Sequence, residues 1–175
     1  MERSLAMMPD HAEPRIRSAT AADAAAIAEI YRHYVAETDV TMEEEPVPPV
    51  EIARRIAEIQ AASLPWLVAD DDGRVTGYAY ATPWRSRAAY RFSVEITVYV
   101  APGHEGRGIG SRLYGELLPA LRERRVHAVI GGIALPNAAS VALHEKFGLR
   151  QVAHFPEVGF KFNRWIDVGY WHRTL

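Results

Sequence analysis

Phe92-Ser93-Val94-Glu95-Ile96-Thr97-Val98-Tyr99-Val100, followed after a short connection by His104-Glu105-Gly106-Arg107-Gly108-Ile109-Gly110-Ser111, is the stretch on which the fold turns. Its first half alternates with period two. Phe92, Val94, Ile96, Val98 and Val100 are apolar, while Ser93, Glu95, Thr97 and Tyr99 are polar. That pattern predicts a strand over Tyr90–Val100 with one buried face. The second half sets glycines where a strand gives way to a helix. Without side chains in the way, backbone N–H groups there can converge on an anion, helped by the positive end of the helix.

Working outward, Trp66–Ala69 and Val75–Ala81 flank Asp72-Gly73, a two-strand hairpin signal. Before them, Ile52, Ile56 and Ile59 mark a helix over Val50–Ala62, preceded by an irregular stretch with Glu43 to Glu45 and three prolines. Ala24, Ile27, Ala28, Ile30, Tyr31 and Tyr34 recur at helical spacing behind Thr20, predicting a capped helix over Ala21–Glu37. Ile16–Ala19 reads as the first strand. Beyond the glycine turn come a helix over Ser111–Arg125, a strand over His127–Ala134 and a helix over Ala138–Phe147. Gln151–Phe155 and Val168–Thr174 read as the last strands. This order gives an α+β domain with a mixed sheet. It is expected to span residues 14–175, with residues 1–13 a tail.

The 175 residues fit one domain, and 49% hydrophobic with 24% charged residues is the balance of an ordinary globular chain. Cysteine is absent, which removes thiolate nucleophiles and suits a reducing, cytoplasmic setting. A net charge of −2 without a large basic block argues against nucleic-acid binding. No apolar run approaches membrane-spanning length, so no membrane partner is expected. The histidines lack metal-ligand spacing, and no metal is expected.

Several nucleotide-type readings compete for the glycine turn. A P-loop needs lysine after its last glycine, and Ser111-Arg112 stands there. A dinucleotide fingerprint spaced as Gly106, Gly108 and Ser111 needs an acid at the end of the next strand, and His127–Ala134 holds none. The third reading is a pyrophosphate loop of another kind. Here the chain resembles the GNAT acetyltransferase superfamily, whose signature is Gln/Arg-x-x-Gly-x-Gly/Ala after a strand. Glu105-Gly106-Arg107-Gly108-Ile109-Gly110 fits except at Glu105. Val94–Val100, Leu135–Ser140, His144-Glu145, Gly159–Phe162 with Trp165, and Asp167-Val168-Gly169 resemble one subfamily, the phosphinothricin and methionine sulfone/sulfoximine N-acetyltransferases.

The resemblance implies a GNAT-like fold, a mostly antiparallel sheet of six or seven strands flanked by helices. It also implies a homodimer and acetyl-CoA as co-substrate. The loop Gly106, Arg107, Gly108, Ile109, Gly110 and Ser111, the strand end Val98, Tyr99 and Val100, and Asn137 would hold acetyl-CoA. Transfer to an amine then requires a base, and protonation of the leaving thiolate requires an acid. Glu95 is the one acid between Phe92 and Val100. By pattern alone it is either a solvated residue of the sheet or a base, and the resemblance selects the base. His144 occupies the place where the wider superfamily carries a tyrosine, and is the second catalytic candidate, or else a substrate ligand. The arginine fork suits oxyanionic headgroups. Arg85, Ser86 and Arg87 are therefore substrate candidates beside Glu95, Ile96, Thr97 and Asn137, with Tyr90, Arg91, Lys161 and Thr41-Met42-Glu43 weaker pocket-wall candidates. The implied activity is direct transfer to the α-amino group of a small amino-acid-like substrate. Its rivals are a protein or peptide N-acetyltransferase and a non-catalytic acyl-CoA sensor.

Overall fold

In the computed structural model, residues 13–175 are described; the expected tail lies outside the described residues apart from Glu13. Among the described residues seven strands form one sheet, β1 (Arg15–Ser18), β2 (Trp66–Asp71), β3 (Arg74–Pro83), β4 (Ser93–Val100), β5 (Ala128–Leu135), β6 (Arg150–Lys161) and β7 (Arg164–Thr174). Their order across the sheet is β1-β2-β3-β4-β5-β7-β6. The helices are α1 (Ala24–Glu37), α2 (Pro49–Ala61), α3 (Ile109–Glu123) and α4 (Ala138–Lys146).

The period of two in the strands sorts side chains into two cores. On one face Leu67, Ala79, Val94, Ile96 and Val129 meet Leu113, Leu117 and Leu121 of α3. On the other, Trp66, Val68 and Tyr78 meet Ile27 and Val35 of α1 and Ile52 and Ile56 of α2. Ahead of α1, the Thr20 N–H donates to the Asp23 carboxylate at 2.7 Å, so the expected cap forms, over a 3-10 turn that leads into the helix.

All strand pairs are antiparallel except β4 with β5. That parallel pair holds only from Ser93–Glu95 against Ala128–Ile130. Beyond it, β4 stays on β3 as far as Val100 and β5 stays on β7 as far as Leu135. The sheet therefore opens between Ile96–Val100 and Gly131–Leu135 into a wedge.

Three expected strands differ most in their limits. β4 starts at Ser93, not Tyr90, because Ala88–Tyr90 curl into a 3-10 turn whose N–H groups bond locally to Arg87 and Ala88. The final strands, expected at Gln151–Phe155 and Val168–Thr174, are one long hairpin. Its register slips between Phe155 and Gly159, where the Asp167 carboxylate accepts the Glu157 N–H at 2.8 Å. A bulge of that kind accommodates Pro156 and hides the alternation.

Candidate active site

The wedge between β4 and β5 continues into an open cleft of about 590 Å³. Its walls are Ile96–Val100, the turn ahead of α3, the outer half of β5 and one side of α4. Gly106 and Gly108 have φ of 73° and 78°, the left-handed region that disfavours other residues. A Cβ at either would meet nothing within 4 Å, so backbone conformation, not crowding, requires glycine there. Gly108 caps α3, whose first N–H groups border the cleft. Ile109 differs from the other loop candidates, since its side chain is core and leaves only its backbone for a ligand. At Gly110 a Cβ would lie 3.1 Å from Leu143, which seats α3 against α4. Ser111 accepts a hydrogen bond from Lys146 Nζ at 2.9 Å, and Arg107 is exposed.

The strand end is less free than expected. Tyr34 of α1 donates its hydroxyl to the Val100 carbonyl at 2.6 Å, and Tyr99 packs against Tyr31, Tyr34 and Tyr78. Val98 and the unpaired edge of β4 remain along the cleft.

Glu95 stands where β4 and β5 part, on the sheet face that carries α1 and α2. This face is half-buried at Ser93, Glu95 and Thr97 rather than open to solvent. Burial pushes the Glu95 carboxyl above the ordinary carboxylate range, and the Arg85 guanidinium partly offsets this. Across the wedge lies Gly132, where a Cβ would come 3.0 Å from Glu95 Oε1 and 3.3 Å from Tyr170. Tyr170 meets Trp84 and Phe155 edge-on at 5.6 Å each, and Arg85 stacks over Trp84 at 4.9 Å. Arg85 acts electrostatically on both Glu95 and Tyr170. Ser86 and Arg87 are exposed on the same β3–β4 connection, and Arg91 lies over Phe92. Ile96 points into the α3 core, so the side chains beside Glu95 on its own face are Thr97 and Ser93.

His144 is 3% exposed. Its Nδ1 lies 2.7 Å from the Ser140 carbonyl, an acceptor only, so Nδ1 carries the proton. Nε2 then accepts from the Tyr114 hydroxyl at 3.1 Å. Burial lowers the proton affinity of the ring. Both nitrogens of a neutral imidazole are engaged, an arrangement opposed to the expected role of proton donor. Asn137 caps α4, its Oδ1 accepting the Ser140 N–H at 3.1 Å, which leaves its amide N–H groups for a ligand.

The α1–α2 loop closes the other side. Lys161, only 2% exposed, donates to the Thr41 carbonyl at 2.9 Å. The Tyr31 and Thr41 hydroxyls are 2.7 Å apart, Arg164 pairs with Asp39, and Met42 lies against Gly159. Tyr34, Tyr114, Gly132 and Tyr170 were not foreseen as site residues. The sequence carried a signal for one of them, a glycine pair inside an apolar strand, which marks close approach of a ligand or neighbouring group. Among the described residues no group of three or more His, Asp or Glu side chains is placed to hold a metal ion. None of their helices is long and apolar enough to cross a membrane.

A wedge between parallel strands, opening onto a glycine-capped helix and a shielded carboxylate, places the molecule among acyl-CoA-dependent N-acyltransferases. Residues 16–169 match the acetyltransferase (GNAT) domain family, and the chain belongs to it. It is 42% identical to a phosphinothricin N-acetyltransferase of Streptomyces coelicolor, over 96% of this chain and 100% of that one. It is 40% identical to an L-methionine sulfoximine/L-methionine sulfone acetyltransferase of Salmonella typhimurium, over 91% and 94%. A GNAT phosphinothricin acetyltransferase from Sinorhizobium meliloti, solved with acetyl-CoA, superposes with a TM-score of 0.90 at 38% identity, covering 94% of this chain and 89% of that one.

Proposed function

We propose that the protein transfers the acetyl group of acetyl-CoA to the α-amino group of a small amino acid of the phosphinothricin, methionine sulfone or methionine sulfoximine type. The observation that carries this reading is the shielded Glu95 carboxylate at the parting of β4 and β5. Full-length relatives named for those substrates support the acceptor class.

The residues present fit acetyl-CoA. Gly106 and Gly108 leave an open backbone cradle at the head of α3, and the unpaired edge of β4 offers hydrogen-bonding groups along the cleft. Gly106 to Ser111 would hold the pyrophosphate, and Val98 with Asn137 the arm that follows. The cofactor supplies the acetyl thioester. Glu95 takes a proton from the incoming ammonium, a task its raised proton affinity suits. Arg85 faces the oxyanionic end of the acceptor, and Trp84, Phe155 and Tyr170 form the wall. His144 acts only through Tyr114, as a neutral acceptor that fixes the phenol. Without cysteine and without a nucleophile elbow, transfer is direct: the acetyl carbon would exchange its bond to the CoA sulfur for one to the amine nitrogen, and a proton lost by the amine would leave with that sulfur as the free thiol.

The reading includes a single domain over residues 14–175, a cytoplasmic location and a homodimer. Exposed Val152, Phe155, Val158, Phe160 and Trp165 on the β6–β7 hairpin supply an apolar face for a second copy. The deciding experiment is thiol release from acetyl-CoA with phosphinothricin, methionine sulfone, methionine sulfoximine, the common amino acids, a polyamine and a short peptide. Turnover led by the first three is expected. Turnover of the peptide alone would transfer the protein to the peptide-modifying class.

A further inference from the structure

We infer that the acceptor site continues past Glu95 into a second pocket, between α2 and the β2–β3 end of the sheet, which takes the aromatic side chain of an α-amino acid. The inference rests on the reading of the protein as an amino-acid N-acetyltransferase and widens its acceptor class.

The pocket measures about 380 Å³. Trp66 and Tyr80 line it, their rings stacked 4.2 Å apart at 16°, and Ile59 of α2 and Ala62, which caps that helix, face them. This is ample space for a benzyl or indolylmethyl group, and the partly exposed Tyr80 ring, backed by the buried Trp66, offers a guest ring the offset contact that aromatic pairs favour. Among the described residues the buried Trp66 indole N–H has no hydrogen-bond acceptor, so stacking and packing hold the ring.

Continuity with the chemistry comes from strand register. Thr82, on the rim of the pocket, is the partner of Glu95 across β3 and β4, and Tyr80 is the partner of Thr97. Directly opposed residues share a face with Cβ atoms about 5 Å apart. The pocket therefore begins one side chain away from the proposed base, on the face where the amine must arrive. Charge at its edge is already matched. Arg55 pairs with Glu43 at 2.6 Å and with Glu51 at 2.9 Å, so the rim offers no free cation to a second carboxylate or phosphinate. Oxyanionic headgroups belong on the Arg85 side, and uncharged rings on the Trp66 side.

The experiment measures kcat/KM by thiol release for methionine sulfone, phenylalanine and tryptophan. It uses the full chain and two variants at the exposed end of α2, Ala62→Trp, which fills the pocket, and Ala62→Glu, which puts a charge at its mouth. Wild-type turnover of phenylalanine or tryptophan is expected. Each variant should lower it about tenfold or more while methionine sulfone stays within about twofold, since one displaced ring is worth about 1.4 kcal/mol or more. Methionine sulfone turnover without any aromatic turnover would overturn the pocket and leave the proposed function standing. Equal loss for all acceptors, or no loss for any, would also overturn it. Absence of turnover with every amino acid would overturn both.

Discussion

The two halves of the proposed site, one for cofactor and one for acceptor, are made of different material. The cofactor half is mostly backbone: the free edge of β4, the turn Gly106–Gly110 and the head of α3, all drawn from one short stretch of chain. The acceptor half is mostly side chains: Thr41 and Met42 before α2, Arg85 after β3, Glu95 on β4, Phe155 and Lys161 on β6, and Tyr170 on β7. Backbone cradles tolerate side-chain drift as long as glycines keep their φ. An acceptor pocket assembled from five places can change its guest by one substitution. Reaction type should therefore be robust in this molecule and substrate choice plastic.

The comparison breaks first at Glu95, which belongs to the acceptor half but serves both. Glu95→Gln is expected to lower kcat roughly 10²–10⁴-fold while the KM for acetyl-CoA is unchanged. The wild-type pH–rate profile should rise through a limb lying above the ordinary carboxylate range, the direction in which burial moves this group, and the variant should lack that limb. The same shift has a stability sign. An acid whose pKa is raised by folding is penalised once ionised, so the penalty is absent at low pH and full above the folded pKa. Glu95→Gln should accordingly melt at or above the wild-type temperature at neutral pH, with the gap closing on acidification. A variant both inactive and less stable would place Glu95 among structural residues.

Next in size is Lys161, which clasps the α1–α2 loop to the β6–β7 hairpin. Lys161→Met leaves the Thr41 carbonyl unpaired and frees that wall of the pocket. A charged donor's hydrogen bond is worth about 1.5–3 kcal/mol, so the KM for the acceptor should rise about tenfold with acetyl-CoA KM unmoved. Burial lowers the pKa of Lys161. Folding then releases a proton between that lowered value and the ordinary lysine range, and stability rises with pH across the window. The Met variant should flatten that rise. Matching losses for both substrates would show that the clasp supports the whole fold.

How much of this was readable in advance follows the same division. Alternation over Ser93–Val100 and the glycines after it are local signals, and they led to the sheet, the turn and the resemblance. The parting of β4 from β5 at Glu95 is not local, because it depends on which neighbour each strand keeps. Period two shows only part of the long β6–β7 hairpin, since a register slip at Phe155–Gly159 scrambles it. Tyr170 carries no local signal, because its ring lies beside Glu95 only through pairing between β5 and β7. The place of His144 in the sequence suits either a catalytic group or a substrate ligand, and its surroundings are not local. Its hydrogen bonds come from Ser140, one turn earlier, and from Tyr114 on another helix.

That pair gives a third, smaller test. Tyr114→Phe removes the only donor that reaches His144 Nε2 among the described residues. If the imidazole acts through the phenol, Tyr114→Phe and His144→Gln should each cost a similar factor, about tenfold, and the double variant no more than either alone. Additive losses, with a pH limb that disappears only in His144→Gln, would restore His144 as an independent acid.

The smallest effect lies in the cofactor half, at the one position where the glycine loop departs from the family pattern. Glu105 stands where glutamine or arginine is usual, and its carboxylate accepts the Gly103 N–H at 2.8 Å. It thus holds the turn that precedes the cradle, but it also brings a negative charge to the mouth of a site that would take a pyrophosphate. The charge is felt there already, since it adds to burial in raising the proton affinity of Tyr34. Glutamine keeps the amide oxygen for Gly103 and removes the charge. One exposed like-charge contact is worth about 0.5–1 kcal/mol at low salt, so Glu105→Gln should lower the KM for acetyl-CoA about two- to fivefold with kcat unchanged. The gain should shrink as ionic strength rises and the Debye length falls below about 10 Å. A KM that does not move at any salt concentration would mean that the carboxylate, turned onto Gly103, is already spent on the turn and invisible to the cofactor.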